Sequence, residues 1–320
     1  LTRATYAGSR VGSTSLSARS GSPGYLNARF ARSLSEFGEP RRLPLSGGWL
    51  LVRDIAGSGQ RDAVGGYRHL YCLDWSALGD DLAELSGLVS LVAVPDPFAP
   101  IAVSSLREYF PYLVRPYKTN YVIDLSDLRP SRHHRAKALA SSLRTALSVH
   151  EDPGPLLDEW DGLYANLRRR HSLSGINAFS RAAFRDQLAT PGCVAVRAER
   201  DGKAVAMMLW YKMGEVAQYH LGASSVQGYD ISASYALVAA AIDAFPATGV
   251  RYLNLGGGAG VEEDVNDGLT RFKRGWTSFT RISYLCGRIF DPAAYALLSA
   301  TGRGARGGTY FPAYRSGEHG

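Results

Sequence analysis

The segment Arg251–Trp276, RYLNLGGGAGVEEDVNDGLTRFKRGW, restricts what this chain can fold into more than any other stretch. Tyr252, Leu253 and Leu255 read as a buried strand, followed by Gly256, Gly257 and Gly258, an acidic spacer and a short basic helix. Asn266 or Asp267 can cap that helix, because a short side-chain oxygen accepts from the free amides of a first turn. Gly275 sits where a chain can leave a helix through a left-handed residue. Leu269 and Phe272 share one helical face, and Arg271 and Arg274 another. A strand that runs through glycines into a helix is a common way to build a site for an anion. Three glycines also fit a flexible turn, and their other use is close backbone approach, with successive amides forming an anion-binding concavity. Arg271, Lys273 and Arg274 lie in the last turn, where positive charge complements the helix dipole in any case.

A chain of 320 residues has room for two ordinary domains or one large one. Its 45% hydrophobic and 20% charged residues describe a globular protein. No apolar run reaches the roughly eighteen residues of a membrane span, SGLVSLVAV being far too short. Residues 1–23 are polar and basic without a hydrophobic stretch, so they read as a disordered or trimmed segment and not as a secretory signal. Cys72, Cys193 and Cys286 are odd in number and set in apolar contexts, which predicts reduced, buried thiols in a cytoplasmic protein. No metal-ligand spacing stands out. The net charge of +7 favours polyanionic partners. Solvated surface accounts for most of the arginine clusters, and a phosphate-rich ligand such as tRNA or a nucleotide cofactor is the sharper reading.

Periodicity supplies the coarse order. Leu26, Phe30, Leu34 and Phe37 have helical spacing over 24–38. GWLLVRDI and YRHLYCLDW read as strands separated by the glycine-rich GSGQRDAVGGY, and SGLVSLVAVPDPF and YLVRPYKTNYVIDLS as further strands. Leu139, Leu143 and Leu147, with Ala136 and Ala140 beside them, predict a core-facing helix of about five turns beginning at Arg132. EDPGP at 151–155 reads as a linker. Beyond it come two helices, the second capped by Ser180, then three antiparallel strands over 193–224 with turns at Asp201-Gly202 and Gly214-Glu215. A helix over Ser232–Phe245 and a last strand over Ser278–Leu285 complete an α+β pattern.

LNLGGG, an acidic spacer and DGLTRFKRGW resemble the C-terminal signature of Fem-type and related GNAT-like acyltransferases (FemAB-like, BioF2-like). YVIDLS at 121–126, the arginine-containing helix from Arg132, YHLGAS at 219–224 and FPAYR at 311–315 agree in order, over roughly the last two-thirds of the chain. The resemblance implies a GNAT-like acyltransferase fold of two tandem domains: a degenerate one over 24–150, a second over 151–290, and a tail over 291–320. It also implies amide formation, with an aminoacyl group passing from aminoacyl-tRNA to an amine. No tightly bound cofactor is implied. The acceptor can be a peptidoglycan precursor, a peptide or a natural-product amine. Acetyl-CoA-dependent relatives carry a Gln/Arg-x-x-Gly-x-Gly/Ala loop that holds pyrophosphate on helix-terminal amides. Here SSVQGYDISAS has one glycine and the wrong spacing, which weakens an acyl-CoA donor without excluding it. A non-catalytic tRNA- or polyanion-binding protein is the reading from another class.

The resemblance assigns Lys273 to the oxyanion or to a donor phosphate. Phe272 shapes the pocket, the amides of Gly256, Gly257 and Gly258 approach the ligand, and Asn254 stands at the strand end facing the cleft. Arg132 and Arg135 contact an anionic substrate or snorkel over the core edge, and Arg271 is a further substrate-binding candidate. Gly66 and Tyr67 either line an acceptor pocket or form a turn. His220 is a candidate base, since an unperturbed imidazole titrates near 6.5, or a satisfied structural histidine. Tyr219 is a substrate-binding candidate, and on a regular strand only one of Tyr219 and His220 faces the cleft.

Overall fold

The structure, a computed structural model, describes residues 22–171, 175–258, 267–301 and 310–316. The strands in chain order are β1 (Glu39–Arg42), β2 (Trp49–Ile55), β3 (Gln60–Gly65), β4 (Ser90–Ala93), β5 (Leu113–Asp124), β6 (Ala146–His150), β7 (Cys193–Arg200), β8 (Lys203–Met213), β9 (Val216–Ser224), β10 (Tyr252–Gly256) and β11 (Thr280–Ile289). The helices are α1 (Ala28–Arg32), α2 (Leu78–Ala83), α3 (Val103–Tyr109), α4 (Arg132–Ser142), α5 (Leu157–His171), α6 (Arg181–Leu188), α7 (Val226–Asp230), α8 (Ala233–Ala244), α9 (Gly268–Arg274) and α10 (Pro292–Thr301). Among the described residues no helix is long and apolar enough to cross a membrane.

All eleven strands form one sheet in the order β1-β2-β3-β4-β11-β5-β10-β9-β8-β7-β6. Two neighbouring pairs, β3–β4 and β9–β10, are parallel and the others antiparallel. From either edge inward the pattern is the same: an antiparallel meander, a parallel pair, then a strand contributed by the other half of the chain. β5 follows β4 in sequence but lies beside β10, while β11 follows β10 but lies beside β4. The EDPGP segment separates β6 from α5, and β6 pairs with β7 beyond it, so the sheet runs across the expected boundary at 150/151.

Alternation along the strands divides the interior into two layers. In β7, Val194, Val196 and Ala198 join the core under α8, whereas Cys193 and Ala195 join the core under α5 and α6 with Trp160, Tyr164 and Phe184. The three cysteines are free and buried. A third cluster lies under α2 and α3, around Leu50, Leu91 and Phe110.

Four sequence expectations need correction. The helix over 24–38 is only the five residues of α1, although Phe30 and Leu34 are buried as their spacing implied. YRHLYCLDW is irregular, and the strand beside β2 is β3, inside the stretch read as a separator. Left-handed Gly57 and Gly59 let the chain reverse early enough for Gln60–Gly65 to pair. The helix from Arg132 ends at Ser142, Leu147 is in β6, and Leu139 and Leu143 face solvent. Its inward positions are His134, Ala138 and Ser141, where small side chains permit close packing on α8. Gly275 is right-handed (φ −70°). A side chain is excluded there because a Cβ would lie 1.8 Å from Cε1 of His134.

Candidate active site

β9 and β10 pair only from Val216–Gln218 against Tyr252–Asn254. β9 then continues to Ser224 while β10 stops at Gly256, so the sheet parts and leaves a cavity of about 990 Å³ reached from both layers. Tyr67, Arg68 and Tyr164 line it on one side, and Leu237, Phe272 and Lys273 on the other.

The glycines form one wall. Gly256 is left-handed (φ +73°), a conformation that disfavours any side chain. A Cβ on Gly258 would meet Oγ1 of Thr270 at 2.2 Å. Asp267 caps α9, accepting from the Thr270 amide at 2.9 Å, as one of the two predicted caps. Asn266, the other, and the acidic residues Glu262, Glu263 and Asp264 lie outside the described residues. α9 therefore begins at the end of the glycine wall and carries Lys273 back over it. Nζ of Lys273 donates to the carbonyl of Gly257 at 2.5 Å.

Three cations converge here: Arg68, Lys118 and Lys273. Arg68 is exposed through the cavity it lines. A Cβ on Gly256 would be 3.5 Å from its Nη1 and 3.6 Å from Nζ of Lys273. The ring of Tyr219 has the Arg68 guanidinium 5.7 Å and the Lys273 ammonium 5.8 Å from its centroid. Burial, then the charges of Arg68 and Lys118, push Lys273 well below the ordinary lysine value, against the pull of Asp267. Burial also raises the Tyr219 hydroxyl to about 12, keeping it a donor. Arg68 adopts φ +65°, an uncommon conformation for a residue with a side chain.

The cavity thus gathers Lys273, Phe272, Tyr219, Tyr67, Gly256, Gly257 and Gly258. It does not gather the remaining candidates. Asn254 is buried behind the wall, donating to Gln218 at 2.7 Å and accepting from the Gly256 amide at 2.9 Å. Gln218 in turn donates to Asp96 at 3.3 Å, and burial raises that carboxyl to about 7. This relay holds the left-handed Gly256 from below. His220 is the extra residue of a bulge, since Leu209 faces Leu221 while Trp210 faces Tyr219. It is fully buried among Tyr25, Phe30, Tyr67 and Tyr211, with its ring nitrogens 3.1 Å from the Tyr25 hydroxyl and 3.2 Å from Oε1 of Gln187. Burial, then the charge of Arg68, holds it well below the ordinary histidine value, and its ring does not line the cavity. Gly66 lies off the cavity, and Arg132, Arg135 and Arg271 are on the outer surface, because α4 turns its small and polar side inward.

Arg68, Lys118, Gln218 and Asp96 were missed. Arg68 directly follows the GGY segment, the one local signal, while the others are brought in by pairings distant in sequence. Among the described residues no group of three His, Cys, Asp or Glu side chains is placed to hold a metal ion. The arrangement can hold an anionic group against fixed cations and offer donors to a developing oxyanion.

Residues 130–274 match the family model described as acetyltransferase (GNAT) domain. The C-terminal domain of a putative lysylphosphatidylglycerol synthetase from Agrobacterium fabrum shares the fold with a TM-score of 0.60 at 17% identity, over 85% of this chain and 91% of that one. FemX does so with 0.63 at 12%, over 85% and 93%, and L-PGS from Bacillus licheniformis with 0.57 at 14%, over 87% and 96%. At these identities the likeness is one of fold. Among curated proteins none matches the chain by sequence. The expected GNAT-like α+β architecture is the architecture of this chain.

Proposed function

We propose that this protein, whose residues 130–274 match the acetyltransferase (GNAT) domain model, makes amides, passing an aminoacyl group from aminoacyl-tRNA to an amine acceptor. The observation that carries the reading is the cavity at the β9–β10 parting, with Lys273, Arg68 and Lys118 gathered at its glycine wall. In the proposed step the neutral acceptor nitrogen attacks the ester carbonyl and a C–N bond forms; the C–O bond to the tRNA ribose then breaks with its electron pair on the ribose oxygen, which takes up the proton the nitrogen loses, leaving amide and free ribose hydroxyl. Lys273 donates to the oxyanion, and Arg68 supplies charge that no pH change near neutrality removes. Tyr67 and Tyr164 give the acceptor an aromatic wall. Charged tRNA as donor puts the reaction in the cytoplasm.

An acyl-CoA donor is the second reading, and one observation favours it. α8 starts at Ala233 with no side-chain cap from Ser232, and Ser234 and Leu237 of its first turns line the cavity, so the positive end of the helix dipole stands beside the site. Against it, Ser225 occupies the Gly228 amide at the start of α7, which removes a donor from the segment where a pyrophosphate loop would stand.

Binding of charged tRNA, uncharged tRNA and acetyl-CoA, compared at one near-physiological salt concentration, separates the readings. Preference for charged over uncharged tRNA with no response to acetyl-CoA supports the aminoacyl donor. Micromolar acetyl-CoA binding with charge-blind, salt-labile tRNA binding overturns it.

A further inference from the structure

The apolar side of α4 points away from the protein. Its buried positions are His134, Ala138 and Ser141. At about 100° per residue the opposite side presents Ala136, Leu139, Ala140 and the C-cap Leu143. Leu139 is 64% exposed and Leu143 80%. Arg135, Lys137 and Arg144 flank this stripe and Arg132 stands in line with it at its N-terminal end, all exposed, and no carboxylate occurs between Leu128 and His150. Just before the helix Leu128 is 45% exposed beside Arg129. α9 is fastened alongside, with Nε2 of His134 donating to the Phe272 carbonyl at 2.8 Å, and adds exposed Arg271 and Arg274. Two exposed leucines one turn apart among cations, on a helix already satisfied on its other side, can enter a lipid interface while the cations meet its headgroups.

We propose that the outer face of α4 docks this protein on an anionic lipid surface, its leucines entering the interface and its arginines meeting headgroup phosphates. Charge complementarity selects this occupant. A second copy of the chain would set the same cations against one another, and a nucleic acid would answer the arginines but leave both leucines in water. Lipid satisfies both. Docking is peripheral, and because α9 also forms the Phe272–Lys273 wall, it brings that wall close to the lipid surface. The proposal does not depend on which donor the cavity takes.

The test is flotation of the full chain with vesicles of phosphatidylcholine alone and with about 30% phosphatidylglycerol, at about 0.1 M salt where surface attraction is still felt. The protein is expected on the anionic vesicles and far less on the neutral ones. Leu139→Gln with Leu143→Gln, at exposed positions and with an unchanged melting temperature, should lower partitioning about tenfold. Arg132→Gln and Arg135→Gln should each lower it about fivefold. Absence from anionic vesicles overturns the proposal, as does wild-type partitioning by the leucine pair. Self-association lost in that pair without vesicle binding, or RNA binding indifferent to the leucines without vesicle binding, overturns it equally.

Discussion

Lys273 is 3% exposed, and burial and the charges of Arg68 and Lys118 all disfavour its ammonium form. Its folded pKa is lowered, so the unfolded chain holds the proton more tightly. The cost to the fold therefore grows as the pH falls from the unfolded lysine value toward the folded one, and is fully present below both. Lys273→Met is expected to lower turnover by roughly a hundredfold or more while raising the melting temperature at neutral pH, a pairing that kinetics and thermal melts check together. Asp96 works in the opposite direction. Its folded pKa of about 7 exceeds the ordinary 3.8, so its favourable contribution is complete below 3.8 and lost as the pH rises through 7. Asp96→Asn should thus melt close to wild type at pH 4 and above it at pH 8, by about 2–4 °C for each kcal/mol recovered. At this scale Lys273 was legible from the motif resemblance, because the glycines and RFKRGW stand close enough in sequence for Lys273 to return to the Gly257 carbonyl sixteen residues before it. Arg68 was not. Its backbone sits in a region of φ that one sequence does not announce, and its partners Tyr219, Gly256 and Lys273 come from the far half of the chain.

α4 and α9 meet through one residue. Nδ1 of His134 accepts from the Ser131 hydroxyl at 2.9 Å, its Nε2 donates to the Phe272 carbonyl, and the ring is boxed by Tyr235, Phe272 and Trp276. Gly275 lies directly on its ring, and its carbonyl accepts from the Ser131 amide at 2.8 Å. Gly275→Ala must displace that ring or the turn, and should cost about 1–3 kcal/mol, read as a lower denaturant midpoint. His134→Ala in the same background should recover part of the loss, since the clashing ring is then gone. The three-strand meander was legible in its Asp-Gly and Gly-Glu turns, but not in the bulges at Val205 and His220, which break the register that a regular strand would keep. α4 was not. Leucine spacing identifies a stripe but not the direction it faces, and a helix that packs through His134, Ala138 and Ser141 leaves no hydrophobic signature on its buried side.

Across the whole molecule the C-terminal FPAYR segment reaches back to β3. Arg315 donates to Asp62 at 2.5 and 2.9 Å and to the carbonyl of Asp54 at 2.8 Å, and Asp62 is wholly buried between Arg315 and Arg53. Arg315→Met leaves that carboxylate with Arg53 and the Tyr314 hydroxyl, which donates to it at 3.1 Å, and a loss of about 3 kcal/mol is expected in equilibrium unfolding. The exchange of β5 and β11 between the two halves of the sheet has a further consequence during synthesis. Until Thr280–Ile289 has left the ribosome, the inner edge of β4 has no partner, however well the preceding residues are ordered. The newborn chain must carry an open sheet edge through most of its elongation, a state prone to mispairing. Fragments ending near residue 150 or beginning there would each lack a strand they require, so such pieces belong together in one tube or not at all.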